Sequence, residues 1–200
     1  SSDLLVYDVQ REYVSGSGSS ARGRARLSRL HRDLDGVSPS WMLIGDELFS
    51  NWPAELDAPA DNSPEFERQS NAIRAALGLY AVHQRSKKQG VAQKFQSNPS
   101  LRMTFGRACR RIEPDTDNAK GILRRLRVAE NAPDFNGIVR SMRALIMLMR
   151  NTDIQVDYGS LASDLYLLQF SDSRGPVFQR WGRDYYAKLP SMQNGQKTDK

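Results

Sequence analysis

Helix-starting residues, each followed by apolar side chains at steps of three and four, recur along nearly the whole chain. Ser63-Pro64-Glu65-Phe66 sets a capping hydroxyl before a proline at the first helical position and an acid in the first turn. Behind it Phe66, Ile73, Leu77, Tyr80 and Ala81 fall on one face of a helix expected over residues 64–88. Pro133-Asp134 opens another, to residue 150, with Phe135, Ile138, Val139, Met142, Leu145, Ile146 and Met149 as a broad apolar face. Asp157-Tyr158 opens one to residue 170, with Leu161, Leu165 and Leu168 inward. Gly175-Pro176 opens the last, which ends before Pro190 and carries the stripe Phe178, Trp181, Tyr185 and Leu189. No hairpin dipeptide sits between alternating apolar runs, and β-branched residues are scattered. The pattern predicts an all-α protein.

The remaining segments fit the same scheme. Helices are expected over residues 3–14 and 21–32, the second basic, with Leu27 and Leu30 buried. The glycine- and serine-rich stretch 15–20 reads as a flexible break. Residues 36–40 form a turn, in which Ser38 or Ser40 caps a short helix over 41–49. Prolines 53, 59 and 64 punctuate an acidic loop over 51–63. After a polar connector, 90–97, Asn98-Pro99-Ser100 starts a helix to residue 112, Glu113-Pro114-Asp115 breaks it, and another spans 117–131. The expected architecture is eight to nine helices in two small bundles, 1–112 and 113–189, with a disordered tail over 190–200. Two hundred residues are enough for a real core, since a chain of this size buries about 70% of its unfolded surface.

Charge is distributed unevenly. Residues 33–67 carry nine acidic and no basic groups, whereas residues 85–150 carry fifteen basic and five acidic ones. Such asymmetry points to a polyanion site on the basic segment, with the acidic one facing elsewhere. The competing reading is solvated helix faces, or arginines paired with the acidic segment.

Helical projection sharpens the polyanion reading. At 100° per residue, Leu101, Phe105, Ala108 and Ile112 fall within an arc of about 60°. Arg107, Arg110 and Arg111 point well away from it, and share one solvent face. On the next helix Lys120, Arg124 and Arg127 share a face roughly opposite Ile122, Leu123 and Leu126. On the third, Arg140 and Arg143 lie off the apolar arc. Arginine suits phosphate because its planar fork donates two parallel hydrogen bonds, and such contacts are salt-sensitive and indifferent to base sequence. Arg180 and Asp184, one helical turn apart, read as a structural pair. Tyr80, Phe105 and Phe178 lie on apolar stripes and read as core, while Tyr166 and Tyr186 are the tyrosines expected at the surface.

Support for catalysis is thin. Neither a phosphate-cradling glycine loop nor a dinucleotide-binding glycine pattern is present. His31 is expected at the surface and His83 as a buried or capping residue. Cys109 neighbours arginines that would lower its pKa, but it has no identifiable base. Paired carboxylates are confined to Asp46-Glu47 and the acidic loop, both read as solvated. No catalytic residue, cofactor or metal is therefore expected. The longest apolar run, Ala144 to Met149, has six residues, far short of the ~20 of a membrane helix. A lone cysteine and the lack of a signal-peptide pattern fit a cytoplasmic protein, and the opening Ser1-Ser2 without Met reads as a trimmed start.

Several segments, in order, resemble one known family. They are Ala25-Arg26-Leu27-Ser28-Arg29-Leu30-His31-Arg32, Leu79-Tyr80-Ala81-Val82-His83-Gln84, Thr104-Phe105-Gly106-Arg107-Ala108, the run from Met142-Arg143-Ala144-Leu145 to Leu148-Met149-Arg150, and Asp157-Tyr158 with Leu161-Ala162-Ser163-Asp164-Leu165. The last is Gln179-Arg180-Trp181-Gly182-Arg183-Asp184-Tyr185-Tyr186. Together they resemble CasB, the small subunit of the type I-E CRISPR surveillance complex Cascade, and in the first segment its actinobacterial members. Lys120-Gly121-Ile122-Leu123 departs from an Arg-Arg-Phe run common in the family, and 33–67 has no clear counterpart.

The resemblance implies an all-helical, two-bundle, non-catalytic subunit active in antiviral defence. It implies partners too: the backbone and large subunits of Cascade, a second copy of the chain, guide RNA and target DNA. Base pairing by the guide supplies specificity while protein reads backbone. The family's small subunit is understood to hold the displaced non-target strand and stabilise the R-loop. Arg107, Arg110, Arg111, Lys120, Arg124, Arg127, Arg140 and Arg143 are the expected nucleic-acid contacts. The contrasting reading is a free-standing helical DNA-binding regulator or a protein-binding adaptor. A regulator would want a helix-turn-helix, for which Glu113-Pro114-Asp115-Thr116 makes the connection between the arginine helices long.

Overall fold

The computed structural model describes residues 2–14, 21–35, 40–50, 63–115 and 117–187. The expected flexible break 15–20, the turn 36–39 with Ser38, the acidic loop over 51–62 and the tail 190–200 lie outside the described residues. Among the described residues the protein is all-α, with nine α-helices, one 3₁₀ turn and a single isolated parallel bridge, Ala92 to Val156.

The central element is a long helix, here the fourth in chain order. The helices are α1 (Ser2–Val14), α2 (Ala21–Asp35), α3 (Trp41–Phe49), α4 (Pro64–Gln84), α5 (Phe105–Ile112), α6 (Lys120–Glu130), α7 (Phe135–Asn151), α8 (Tyr158–Leu167) and α9 (Ser171–Tyr186). The sequence assigns α4 a single apolar face. In the structure its second half is buried all round, from Ala72 through Gln84, because α1, α2, α7 and α8 all pack against it. Its composition permits this: small residues such as Ala75, Ala76 and Gly78 let neighbours approach. A Cβ on Gly78 would stand 2.9 Å from the Cβ of Leu34, so glycine sets the α2–α4 contact.

The predicted starts are used as capping chemistry. Ser63 Oγ accepts from the Phe66 amide (3.1 Å), Asp134 Oδ1 from Gly137 (2.7 Å) and Asp157 Oδ1 from Ser160 (3.0 Å). Ser40 precedes α3 without a side-chain cap bond; its own amide donates to Asp33 at 2.8 Å.

Among the ends, α2 runs on to Asp35, past the expected 32, while α4 stops at Gln84 and α8 at Leu167, short of 88 and 170; three starts differ more informatively. The helix predicted over 98–112 is split. Asn98 starts only the 3₁₀ turn Pro99–Leu101, and Thr104 then caps α5, its Oγ1 accepting from the Arg107 amide at 3.4 Å. Leu101, assigned to the apolar arc of one continuous helix, is consequently 55% exposed. The helix placed at 117–131 begins at Lys120, after a turn. The last helix begins at Ser171, not Gly175, so Pro176 lies inside it. The missing proline N–H there removes one bond near the start of the helix, and Gly175 offers no Cβ to clash with the ring.

Buried side chains from Leu5 to Tyr185 form one connected cluster. Most of the α7 face predicted from sequence is buried, with Ile138, Met142, Leu145, Ile146 and Met149 at 0% exposure, while Phe135 at its start is half-buried. Buried Gln84 ties the turn after α4: its Oε1 accepts from the Val91 amide (3.0 Å) and its Nε2 donates to the Gln89 carbonyl (2.9 Å).

Candidate nucleic-acid interface

The basic residues separate by what surrounds them. Several of those on the N-terminal helices are paired within the protein, although Arg32 on α2 is exposed. Glu47 on α3, 4% exposed, accepts from Arg26 (Nη2, 2.6 Å) and Arg29 (Nη2, 2.8 Å), and Arg26 also reaches Glu12 on α1. Asp33 on α2 pairs with Arg74 on α4 at 2.6 Å, both side chains buried. Glu47 and Asp33 belong to the acidic segment. They face α1, α2 and α4, so the described part of that segment is not a partner for the arginines of α5–α7. Asp46-Glu47, expected to be solvated, divides: Asp46 is exposed and Glu47 is buried.

The arginines of α5 do not form the single solvent patch expected of them; all three are half-buried and diverge. Arg107 Nη1 donates back to the carbonyls of Pro99, Ser100 and Arg102, at 2.9, 3.0 and 2.8 Å. Arg110 donates to the Glu113 carbonyl (3.0 Å) and lies over the ring of Tyr185. Arg111 lines a groove with Lys87 and Lys88, in which Lys87 pairs with Asp153. Helical projection fixes an angle, but it does not show that a half-buried arginine will cap neighbouring carbonyls.

On α6 and α7 the picture is closer to expectation. Lys120, Arg124, Arg127 and Arg140 are exposed, and Arg143 is half-buried beside Met147. Arg124 and Arg140 face a shared open groove between the two helices, together with Arg125, whose Nη1 donates to the Gly121 carbonyl at 3.1 Å. The sequence reading missed Arg125; the Arg124-Arg125 doublet is the signal that could have drawn attention to it. Among the described residues no carboxylate lies within ion-pair distance of Arg107, Arg110, Arg111, Lys120, Arg124, Arg127 or Arg140. Exposed cations on a rigid helix pair, without internal partners, can bind phosphate without first breaking a bond in the protein.

The remaining motif residues build the scaffold behind these faces. Thr104, besides capping α5, donates its hydroxyl to Asp184 on α9 at 2.7 Å. The Phe105 and Trp181 rings are 4.6 Å apart, and a Cβ on Gly106 would stand 2.4 Å from the Trp181 carbonyl oxygen. Only glycine admits that approach of α5 to α9. Arg180, expected to pair with Asp184, instead donates to Asp164 on α8 at 2.6 Å, where Trp181 Nε1 also donates at 2.7 Å. The buried carboxylate of Asp164 attracts both donors, and Asp184 is taken by Thr104.

Two of the titratable groups weighed for chemistry, His83 and Cys109, are buried. His83 is fully buried, with Nδ1 3.0 Å from the Tyr158 hydroxyl. Burial, with Lys87 and Arg150 nearby, lowers its pKa to about 3, so it is neutral at physiological pH. For Cys109 burial pushes the thiol pKa up, the opposite of the lowering expected from its arginine neighbours, because the thiol is fully buried in the core. His31, expected at the surface, is half-buried, as is Tyr166; Tyr186 is 70% exposed. Among the described residues no group of three His, Cys, Asp or Glu could hold a metal ion, and no helix is long and apolar enough to cross a membrane.

Comparison with known proteins places this scaffold. The model of the CRISPR-associated protein Cse2 family matches residues 23–186. The structure is similar to that of CasB from Thermobifida fusca, with a TM-score of 0.74 and 28% identity over 93% of this chain and 96% of that one. It shares its fold with CasB from M. ruber, with a TM-score of 0.62 and 22% identity over 93% of each chain. No curated protein matches the chain in sequence. The family model spans both the Thr104–Ala108 segment and the Trp181–Tyr186 segment that pack together in the structure, and the chain is a member of the CRISPR-associated Cse2 family, to which CasB belongs.

Proposed function

We propose that this chain is the small subunit of a type I-E Cascade complex. In that role it holds the backbone of the displaced non-target DNA strand without sequence preference, stabilises the R-loop and catalyses no reaction. Family membership supports a role as a CRISPR Cascade subunit. One observation carries the finer reading: the cations of α6 and α7, Lys120, Arg124, Arg127 and Arg140, are exposed and have no carboxylate partner among the described residues. A strand held this way is held by phosphate contacts, which release counterions and weaken steeply with salt. Arg143 belongs to the same proposed surface, and Arg107, Arg110 and Arg111 to its edge. The Cascade backbone and large subunits, a second copy of the chain and guide RNA are further proposed partners, in the cytoplasm.

The test is R-loop formation on a target duplex by the guide-loaded complex, assembled with and without this chain. The expected result is a less stable open duplex without it, restored by adding the chain back. Equal R-loop stability in both assemblies, or preference of the free chain for one particular duplex, would contradict the proposal; the second result is the behaviour of a regulator.

A further inference from the structure

Phe95 lies outside every helix, and its ring is 60% exposed. The segment that carries it, residues 93–103, is nonetheless tied down along its length. Gln93 clamps its far end, accepting from the Met103 amide at 2.6 Å and donating to the Leu101 carbonyl at 2.9 Å. Arg102 Nε donates to the Gln96 carbonyl at 2.8 Å. Arg107 holds three carbonyls of the same segment from α5. A connector that only links two helices has no need of this many bonds, so they serve to fix what the connector displays. What it displays is a phenylalanine ring with the Arg102 guanidinium over it, 5.0 Å from the centroid. The segment is strongly basic: residues 85–112 contain eight basic side chains and no acid, with Lys87 paired to Asp153 from outside it.

A pre-positioned, exposed aromatic ring on a basic segment matches how proteins grip single strands: cations track the backbone and rings stack on bases. We infer that Phe95 is a stacking platform for an unpaired base of the bound DNA strand, with Arg102 holding the ring in place. The inference rests on the strand-binding reading above and adds to it a contact to the base. Stacking accepts any base because each has a π-face, so the platform leaves binding indifferent to sequence.

Equilibrium binding of the full chain to two labelled DNA strands of equal length, one of mixed sequence and one wholly abasic, separates base from backbone. The wild-type chain is expected to prefer the base-bearing strand by about fivefold or more, since a stacked base contributes at least ~1 kcal/mol. In Phe95→Ala that preference disappears while the salt dependence stays as in wild type; Phe95→Trp restores it. Equal affinity of the wild-type chain for the two strands, with salt-sensitive binding intact, overturns the stacking platform and leaves the backbone reading standing. Binding to neither strand overturns both.

Discussion

Two sets of three arginines meet opposite fates. Arg26, Arg29 and Arg74 are turned inward onto Glu47 and Asp33, which hold α2, α3 and α4 together. Arg124, Arg127 and Arg140 stand on α6 and α7 with no carboxylate in reach among the described residues. The difference lies in the neighbours. The first set shares its space with Glu47 and Asp33 of the acidic segment; the second stands on the exposed faces of α6 and α7, and the inward face of α7 is wholly apolar. Net charge therefore says little about function until internal pairing is removed from it. Arg26, Arg29 and Arg74 join helices, whereas Arg124, Arg127 and Arg140 leave their charge at the surface.

Breaking the inward set is expected to have as large an effect as any. In Asp33→Ala, Arg74 is left buried without its partner and the Ser40 amide without its acceptor. The loss should be ~3–5 kcal/mol, read by denaturant unfolding, with strand affinity of the folded fraction unchanged. A variant that unfolds at the wild-type midpoint would show that the pair is not structural.

Next comes the scaffold that holds the outward set. Trp181→Ala removes a buried ring that touches Phe105 and Phe178 and donates to Asp164, and should cost ~3–5 kcal/mol. Gly106→Ala forces a methyl against the Trp181 backbone, which cannot rotate away as a side chain would; ~1–3 kcal/mol is expected, read as a lowered melting temperature. A melt within a degree or two of wild type in either variant would mean that α5 and α9 are not packed as described.

A pH dependence follows from His83. Its folded pKa, about 3, lies below the ordinary 6.5, so below pH 6.5 the unfolded chain takes up a proton that the folded chain refuses. Stability is full above pH 6.5 and declines as pH falls toward 3, by at most ~1.4 kcal/mol per pH unit from this group. Asp164, whose pKa burial raises, acts in the opposite sense above pH 3.8. His83→Gln isolates the histidine: its stability should fall less than that of wild type between pH 6.5 and 4.5. Parallel curves for the two proteins would show that the fold does not lower the His83 pKa.

Much of this was legible in the sequence, for a local reason. The caps at Ser63, Asp134 and Asp157 and the apolar face of α7 depend on residues a few positions apart, and spacing reports those directly. The misreadings involve choices between competing partners. Asn98 and Thr104 are both helix starters, and only the packing of Thr104 on Asp184, eighty residues away, decides which begins α5. Arg180 leaves its expected partner for Asp164, a choice that rests on the α8–α9 contact. Arg107 faces outward by projection but caps carbonyls of a turn that the sequence reads as helix. For that reason charge reversal at Arg107, Arg110 and Arg111 would disturb the 99–102 turn as well as any strand contact. The exposed α6–α7 positions make the cleaner probe.

The most direct measurement is therefore the salt dependence of single-strand binding by the Arg124→Glu, Arg127→Glu, Arg140→Glu triple variant. Removing three phosphate contacts should lower the slope of log affinity against log salt by about 2, and weaken binding at every salt concentration. Far-UV helicity and melting temperature should stay near wild type, because all three side chains are exposed. A folded triple variant with the wild-type slope and affinity would contradict the assignment of the α6–α7 face as the strand-holding surface.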